Sequence, residues 1–294
     1  MSLAHAFAHF AHQNPNLASF LIFMTSYHLS SFVFHLLDTR FPTLRPYKKY
    51  HSLPKSPSYH QMMARVLLNQ FFILLPSMLL ATHLGITYTT IYSPSPSTLP
   101  SVLAFVALAP LLHEVPFYLS HRFILHSSWG FRSLNHALHH SSVTHSALSA
   151  MYMSGPDFLL EIVVPYLVPL SVLSKYNLCN TATCIAILPV GAFGGLYEHS
   201  GYNFFEGIAA LDTKVHAMHH RFYNCSFADG VGAPSVLDPM MGTACTGGPP
   251  IKAIRRWLGF KDVERVKKIT SEMALDGDRK LNDSRREECS AHSG

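Results

Sequence analysis

Residues 112 to 126 read Leu112-His-Glu-Val-Pro-Phe-Tyr-Leu-Ser-His121-Arg-Phe-Ile-Leu-His126. The first half closes an apolar run that begins at residue 99, and the second half opens a series of histidines. An apolar segment of roughly 20 residues is long enough to cross a ~30 Å hydrocarbon core as a helix. A histidine pair at its end is then delivered to the membrane surface. Two further clusters follow, His136-Ala-Leu-His139-His140 and His216-Ala-Met-His219-His220. Positions i, i+3 and i+4 share a helical face, so each triplet is expected to aim three imidazoles at one point. His121 and His126 are five apart and share no such face. They converge only at a helix end or a π-bulge, and such bulges favour functional sites.

A lone histidine near a membrane is usually a polar interfacial residue. Eight of them brought into one low-dielectric site are a different matter. Left unpaired, each costs roughly 1–3 kcal/mol, so the group costs on the order of 10 kcal/mol, comparable to a whole domain's stability. Protonation would only set like charges side by side. Metal ions remove both problems by taking the nitrogen lone pairs of neutral imidazole. Eight or more ligands suit two ions with positions left open, since a structural zinc takes four and a catalytic zinc three. Imidazole serves Zn, Cu, Fe and Ni alike, so the residues alone leave the metal open. A zincin is excluded, because His113-Glu114 is followed by Phe117 where HExxH needs histidine.

Working outward, further apolar runs occupy residues 17–37, 62–86 and 99–119, with shorter ones at 158–173 and 181–197. An all-α integral membrane bundle of four to five spans is expected, with a histidine-lined di-metal cap. The first run lacks a basic leader region and a small-residue cleavage site, so it reads as a retained span. Arg40, Arg45, Lys48, Lys49 and Lys55 lie between the first two spans against Asp38 alone, while residues 87–98 carry no charge. The positive-inside rule then makes the first loop cytoplasmic and the second lumenal, and every dense histidine group falls on the cytoplasmic side. Three regions follow: membrane spans over residues 1–110, a histidine-box catalytic domain with a membrane hairpin over 111–245, and a cytoplasmic polar tail over 246–294. The tail has an apolar stripe of Trp257, Leu258, Phe260 and Val263 suited to a membrane surface.

Composition agrees with this picture. The chain has 294 residues, 48% hydrophobic and only 13% charged, with 20 histidines, which excludes disorder and an ordinary cytosolic globule. The net charge of +5 does not indicate a nucleic-acid partner, because 13 of the 22 basic residues lie after residue 206, mixed with acids. Five cysteines without a CxxC signal neither a disulfide framework nor a zinc ribbon. The glycosylation patterns at Asn224 and Asn282 fall on the cytoplasmic side and are discounted.

The three boxes, in this order and between these spans, resemble the fatty acid hydroxylase and sterol desaturase superfamily of membrane di-iron enzymes. The resemblance covers residues 112–243. Glu114-Val-Pro-Phe-Tyr-Leu-Ser-His121-Arg122 is similar to the family's approach to its first box, with Leu119 where tryptophan is common. Glu198-His199-Ser-Gly-Tyr202 resembles an element of methylsterol oxidases and cholesterol 25-hydroxylase. Phe222-Tyr-Asn224-Cys-Ser-Phe227 and Asp238-Pro-Met-Met-Gly242-Thr243 are similar to the latter's ending. The sequence departs from the family around His145, at Ser154-Gly155 and at Leu237, outside the boxes. The resemblance implies that His121, His126, His136, His139, His140, His216, His219 and His220 ligate iron, with His199 as a ninth ligand. Glu114, Asp212 and Asp238 are candidates to orient ligand N–H groups, with a helix-capping or solvent-facing role as the alternative for each.

The same resemblance implies two iron ions, O2 as co-substrate, and a lipid or sterol-like substrate hydroxylated at an unactivated C–H bond. Desaturation or oxidative demethylation is possible on the same scaffold. Electrons are implied to come from NAD(P)H through cytochrome b5 or its reductase, and no dinucleotide-binding GxGxxG is present in the chain. An endoplasmic-reticulum location is implied as well. A divalent-metal transporter is the alternative class, but it wants ionisable groups at mid-bilayer, whereas the boxes sit at span ends. A haem electron carrier would use two or four histidines and leave the triplets unexplained.

Overall fold

The computed structural model describes residues 3–50, 56–86, 99–141, 146–208, 211–228 and 235–245. The charge-free loop of residues 87–98, Lys55, His145, Asn282 and the polar tail lie outside the described residues. Everything described is helix, turn or loop, and the single backbone bridge pairs Lys48 with Tyr202. The expected all-α membrane architecture is what the described residues adopt.

Helix α1 (Leu3–Gln13) leads into α2 (Pro15–Arg40), which starts on a proline whose missing N–H would have no helical partner anyway. After a 3₁₀ turn (Pro42–Tyr47) come α3 (Tyr59–His83) and α4 (Leu99–Leu125). Short helix α5 (Ser128–Ser133) precedes α6 (Ala137–His140), which with its N-cap His136 carries the second box, and a 3₁₀ turn (Ala147–Met151) follows. Then α7 (Gly155–Lys175) and α8 (Thr181–His199) follow, joined by a short turn. The third box lies on α9 (Lys214–Phe222), and α10 (Leu237–Met241) closes the described chain.

Four of these helices, α2, α3, α4 and α7, are long and apolar enough to cross a membrane. At ~1.5 Å per residue the 26 residues of α2 reach about 39 Å, more than the hydrocarbon thickness. Large apolar side chains stand exposed on them, Phe72 at 74% and Leu103 at 60%, where a water-soluble protein would bury them. Inward, Phe34 stacks on Phe193 and Tyr197 of α8, and the row continues through Tyr202 and Phe204. This aromatic wall ties α2 to the strip between α8 and α9. Lys48 fastens the same seam, pairing with Asp38 at 2.5 Å and lying over the Tyr202 ring.

Three spans contain one π-helical turn each, at Gln70–Leu74, Ser120–Leu125 and Leu159–Val163. A π turn breaks the regular i to i−4 bonding and frees backbone groups that lipid cannot satisfy. Ser120 Oγ donates to the Leu160 carbonyl at 2.9 Å, joining two of the widened turns to each other. Asn69, next to the third, donates to the Met153 carbonyl at 2.9 Å. The pairing places the irregular turns of α4 and α7 side by side, at the end of the bundle where the histidines lie.

Candidate metal centre

The π turn of α4 brings the first box together. The His126 N–H donates to the His121 carbonyl, five residues back, at 2.9 Å. The extra residue turns both imidazoles to one side, with ring centres 4.8 Å apart. The chain then reverses tightly through Ser127, whose hydroxyl accepts from the Gly130 N–H at 2.9 Å. A Cβ at residue 130 would stand 1.9 Å from the Ile124 carbonyl oxygen, so only glycine fits.

The histidines form two adjoining sets. In the first, ligand nitrogens of His121, His126, His136 and His140 all lie within 4.8 Å of one another. The Nε2 atoms of His126, His136 and His140 make a triangle with sides of 3.0–3.1 Å. His219 joins this set, its ring 4.7 Å from His121 and 5.0 Å from His140. The second set holds His139, His199 and His220, again with nitrogens within 4.8 Å. His216 completes it, Nε2 to Nε2 with His199 at 2.8 Å. His5, His9 and His12 belong to neither set and lie on α1.

This corrects the expectation that each triplet aims at one point. His136 and His140 serve the first set while His139 serves the second, and His216 and His220 serve the second while His219 serves the first. The reason is helical phase. Residues i and i+4 are only about 40° apart around the axis, while i+3 and i+4 are about 100° apart. Each triplet therefore straddles two centres and contributes to both.

Backbone and side-chain acceptors fix the ring orientations. His121 Nδ1 donates to the Phe227 carbonyl at 2.8 Å and His219 Nδ1 to the Cys225 carbonyl at 2.6 Å. His199 Nδ1 pairs with Ser149 Oγ at 3.2 Å. With Nδ1 occupied as donor, the Nε2 lone pair faces the cluster, as in metal-binding histidine. Burial and the neighbouring imidazoles hold these groups neutral. His126, His136, His140, His216 and His220 are all pushed below the ordinary histidine range, His139 to about 3 and His219 to about 4 by burial above all.

Such an assembly is costly without an ion. His121 Nε2, His219 Nε2, His140 Nδ1 and both ring nitrogens of His220 are buried with no hydrogen-bond partner. Metal bonds to nitrogen of about 2.0–2.1 Å separate neighbouring ligands at right angles by roughly 2.9 Å, close to the 2.8–3.1 Å between these nitrogens. The donor set therefore fits two ions with neutral imidazole ligands.

The three acids expected as orienting groups do other work. Glu114 accepts from the Val236 and Leu237 N–H groups at 2.6 Å each, capping α10. Asp212 accepts from Asn203 Nδ2 and from the Gly207 and Lys214 N–H groups at the start of α9. Asp238 accepts from the Phe227 and Ala228 N–H groups at 2.9 and 2.8 Å, and from Thr243 Oγ1 at 2.6 Å. Asp238 thus acts at one remove, holding the loop whose Phe227 carbonyl orients His121. The loop is docked on α4 by Tyr118, which meets Phe227 edge-on and receives a hydrogen bond from Arg122.

Two acids the sequence reading missed touch the histidines directly. Both Asp157 carboxylate oxygens lie 3.0 Å from His136 Nδ1, and Asp157 is wholly buried. Glu161, one turn on, has Oε1 3.9 Å from His121 Nε2 and 3.7 Å from His139 Nε2. The signal was present: Glu161 is the only charged residue among residues 158–173, and an ionisable group inside an apolar span is by default functional.

A second correction concerns the cysteines. Cys225 and Cys245 form a disulfide with their Cα atoms 5.2 Å apart. Their separation of 20 residues matches no motif, and the pairing arises from tertiary contacts: the Ser226 N–H donates to the Thr243 carbonyl at 2.6 Å, and the Cys245 N–H to Ser226 Oγ at 2.9 Å.

No curated protein and no solved structure matches the chain. The sequence model of one family, fatty acid hydroxylase, matches residues 106–243, a stretch running from inside α4 to the Thr243 that anchors Asp238. It contains all nine clustered histidines together with Asp157 and Glu161. Over those residues, just under half of the chain, the sequence matches the fatty acid hydroxylase family, which implies an oxidoreductase.

Proposed function

We propose that the protein is a membrane-bound, O2-dependent hydroxylase that uses two iron ions to oxidise an unactivated C–H bond of a lipid or sterol-like substrate. The observation that carries this reading is the division of nine buried imidazoles into two adjoining sets at the end of four apolar helices. His121, His126, His136, His140 and His219 would hold one ion, and His139, His199, His216 and His220 the other. When bound, a pair of ferrous ions supplies the reduction of O2 and the oxidation of carbon.

The protein's own part is to fix and seclude. Neutral imidazoles leave positions open to exogenous ligands, and their burial keeps water from the site. An apolar substrate reaches the site from the bilayer along α4 and α7, whose ends carry His121, Asp157 and Glu161. The resemblance to cholesterol 25-hydroxylase and methylsterol oxidase motifs favours a sterol-like molecule. Because the chain has no dinucleotide-binding motif, electrons come from outside, from NAD(P)H through cytochrome b5 or its reductase. The basic residues from Arg40 to Lys49 support, through the positive-inside rule, a docking face on the cytoplasmic side, and the endoplasmic reticulum is the membrane we propose. Residues 1–110 serve as membrane anchor and 111–245 as the catalytic unit.

Expression in yeast microsomes supplied with lipid extracts tests the reading. A product heavier by one oxygen identifies hydroxylation, and one lighter by two hydrogens identifies desaturation. Persistence of either product in His139→Ala and His219→Ala membranes would rule the centre out.

A further inference from the structure

We propose that Glu161 is itself a metal ligand, supplying a carboxylate oxygen between the two histidine sets. The inference rests on the two-ion reading above and deepens it, because it changes the centre from all-imidazole to mixed nitrogen and oxygen. Glu161 lies in the π turn of α7 and is only 5% exposed. Its Oε1 is 3.9 Å from Nε2 of His121, in the first set, and 3.7 Å from Nε2 of His139, in the second. Its Oε2 is 3.8 Å from His136 Nδ1 and accepts no hydrogen bond. One carboxylate therefore reaches both sets.

The distances are those of ligands, not of hydrogen bonds. At 3.7–3.9 Å, Oε1 is too far from either nitrogen to share a proton with it. Two atoms each about 2.0–2.2 Å from one ion stand roughly 2.9 Å apart at a right angle and about 4.2 Å apart when opposed, and the observed separations fall between. His136, Asp157 and Glu161 also form a ligand group within 4.8 Å of one another. However, Asp157 has both oxygens engaged by His136 Nδ1. It positions that ring, whereas Glu161 makes no hydrogen bond to a histidine and shares a side-chain hydrogen bond with Asp157.

Charge gives an independent argument. Nine neutral imidazoles around two divalent ions leave four positive charges in a buried site, and buried charge is tolerated only when paired. Among the described residues, Asp157 and Glu161 are acids that lie within 4 Å of histidine ring nitrogens. Conversely, in the metal-free protein Glu161 is a buried acid without a cation, a destabilising element whose use appears on metal binding.

Glu161→Gln in the purified, detergent-solubilised full-length protein separates these roles, with Zn(II) and Fe(II) as probes. As a ligand, Glu161→Gln leaves the metal-free melting temperature equal to or above wild type and shrinks the metal-induced rise. It also weakens metal affinity by about 100-fold, the upper end of what an orienting partner achieves. A merely structural glutamate gives the reverse, a lower metal-free melting temperature with the metal-induced rise intact, and that result overturns the proposal. In the wild type itself, metal addition must shift a carboxylate infrared band that ¹³C-glutamate labelling moves. Absence of such a band overturns the proposal even if the variant fails to fold. A wild-type protein that takes up no metal would instead sink the two-ion reading, whereas two tightly held ions with no change in Glu161→Gln would sink only the role of Glu161.

Discussion

Asp157→Asn probes how a buried acid governs the first histidine set. Asp157 is wholly buried, with Oδ1 and Oδ2 each 3.0 Å from His136 Nδ1, so His136 meets the cluster through Nε2 alone. Asparagine is nearly the same size and keeps one acceptor oxygen, so ring orientation survives while the charge is lost. A hydrogen bond to a charged group is worth about 1.5–3 kcal/mol and a neutral one about 0.5–1.5. The difference of about 1–1.5 kcal/mol corresponds to a five- to tenfold loss of metal affinity. Asp157→Leu removes the acceptor as well and should approach the ~100-fold seen when such partners are deleted. Competition against a chromophoric chelator, on detergent-purified protein, reads both numbers. At saturating metal the stoichiometry should match wild type, because no ligand has been removed. If both variants bind metal within twofold of wild type, the Asp157–His136 pair does not orient a ligand.

The sharing of each histidine triplet between two centres predicts that His136→Ala and His220→Ala each lower bound iron from about two ions toward one, leaving different ions behind; elemental analysis with iron spectroscopy reads this, and identical residual spectra would contradict the division. Gly130→Ala should destabilise the turn by several kcal/mol, because the new Cβ would fall 1.9 Å from the Ile124 carbonyl oxygen; an unchanged melting temperature would show that this reversal gives way freely. The metal-free protein should lose stability as pH falls from about 6.5 toward 4, since the unfolded chain takes up protons at the ordinary histidine range while folded His219 and His139 wait until about 4 and 3. Those two groups alone give a slope of about 2.7 kcal/mol per pH unit. A melting temperature flat between pH 6.5 and 4.5 would contradict the burial of neutral rings.

Much of this was legible in the residues. The spans are legible because lipid demands long apolar runs, and the boxes because nine imidazoles have few uses together. Even the widened turn at His121 and His126 follows from a spacing of five. The assignment of rings to centres was not legible, since it depends on the angular offset between His139 and His140 once their helix is docked. The orienting acids were misjudged for a related reason. Glu114 and Asp238 lie next to motifs in the sequence but face the backbone of the α10 loop, whereas Asp157 and Glu161 reach the histidines only because α7 packs beside α4. The Cys225–Cys245 pairing likewise depends on where the loop after the third box comes to rest.

The widened turns of α4 and α7 make the aim of the site a matter of counting. Each contains one residue more than a regular turn needs. Excising that residue would shorten the helix by only about 1.5 Å and return the turn to regular α geometry, leaving His126 four residues from His121 and still on its side. The same deletion in a regular stretch of either span would instead turn everything beyond it by about 100°, so the widened turns are the places where these spans can absorb a change of one residue without re-aiming the site.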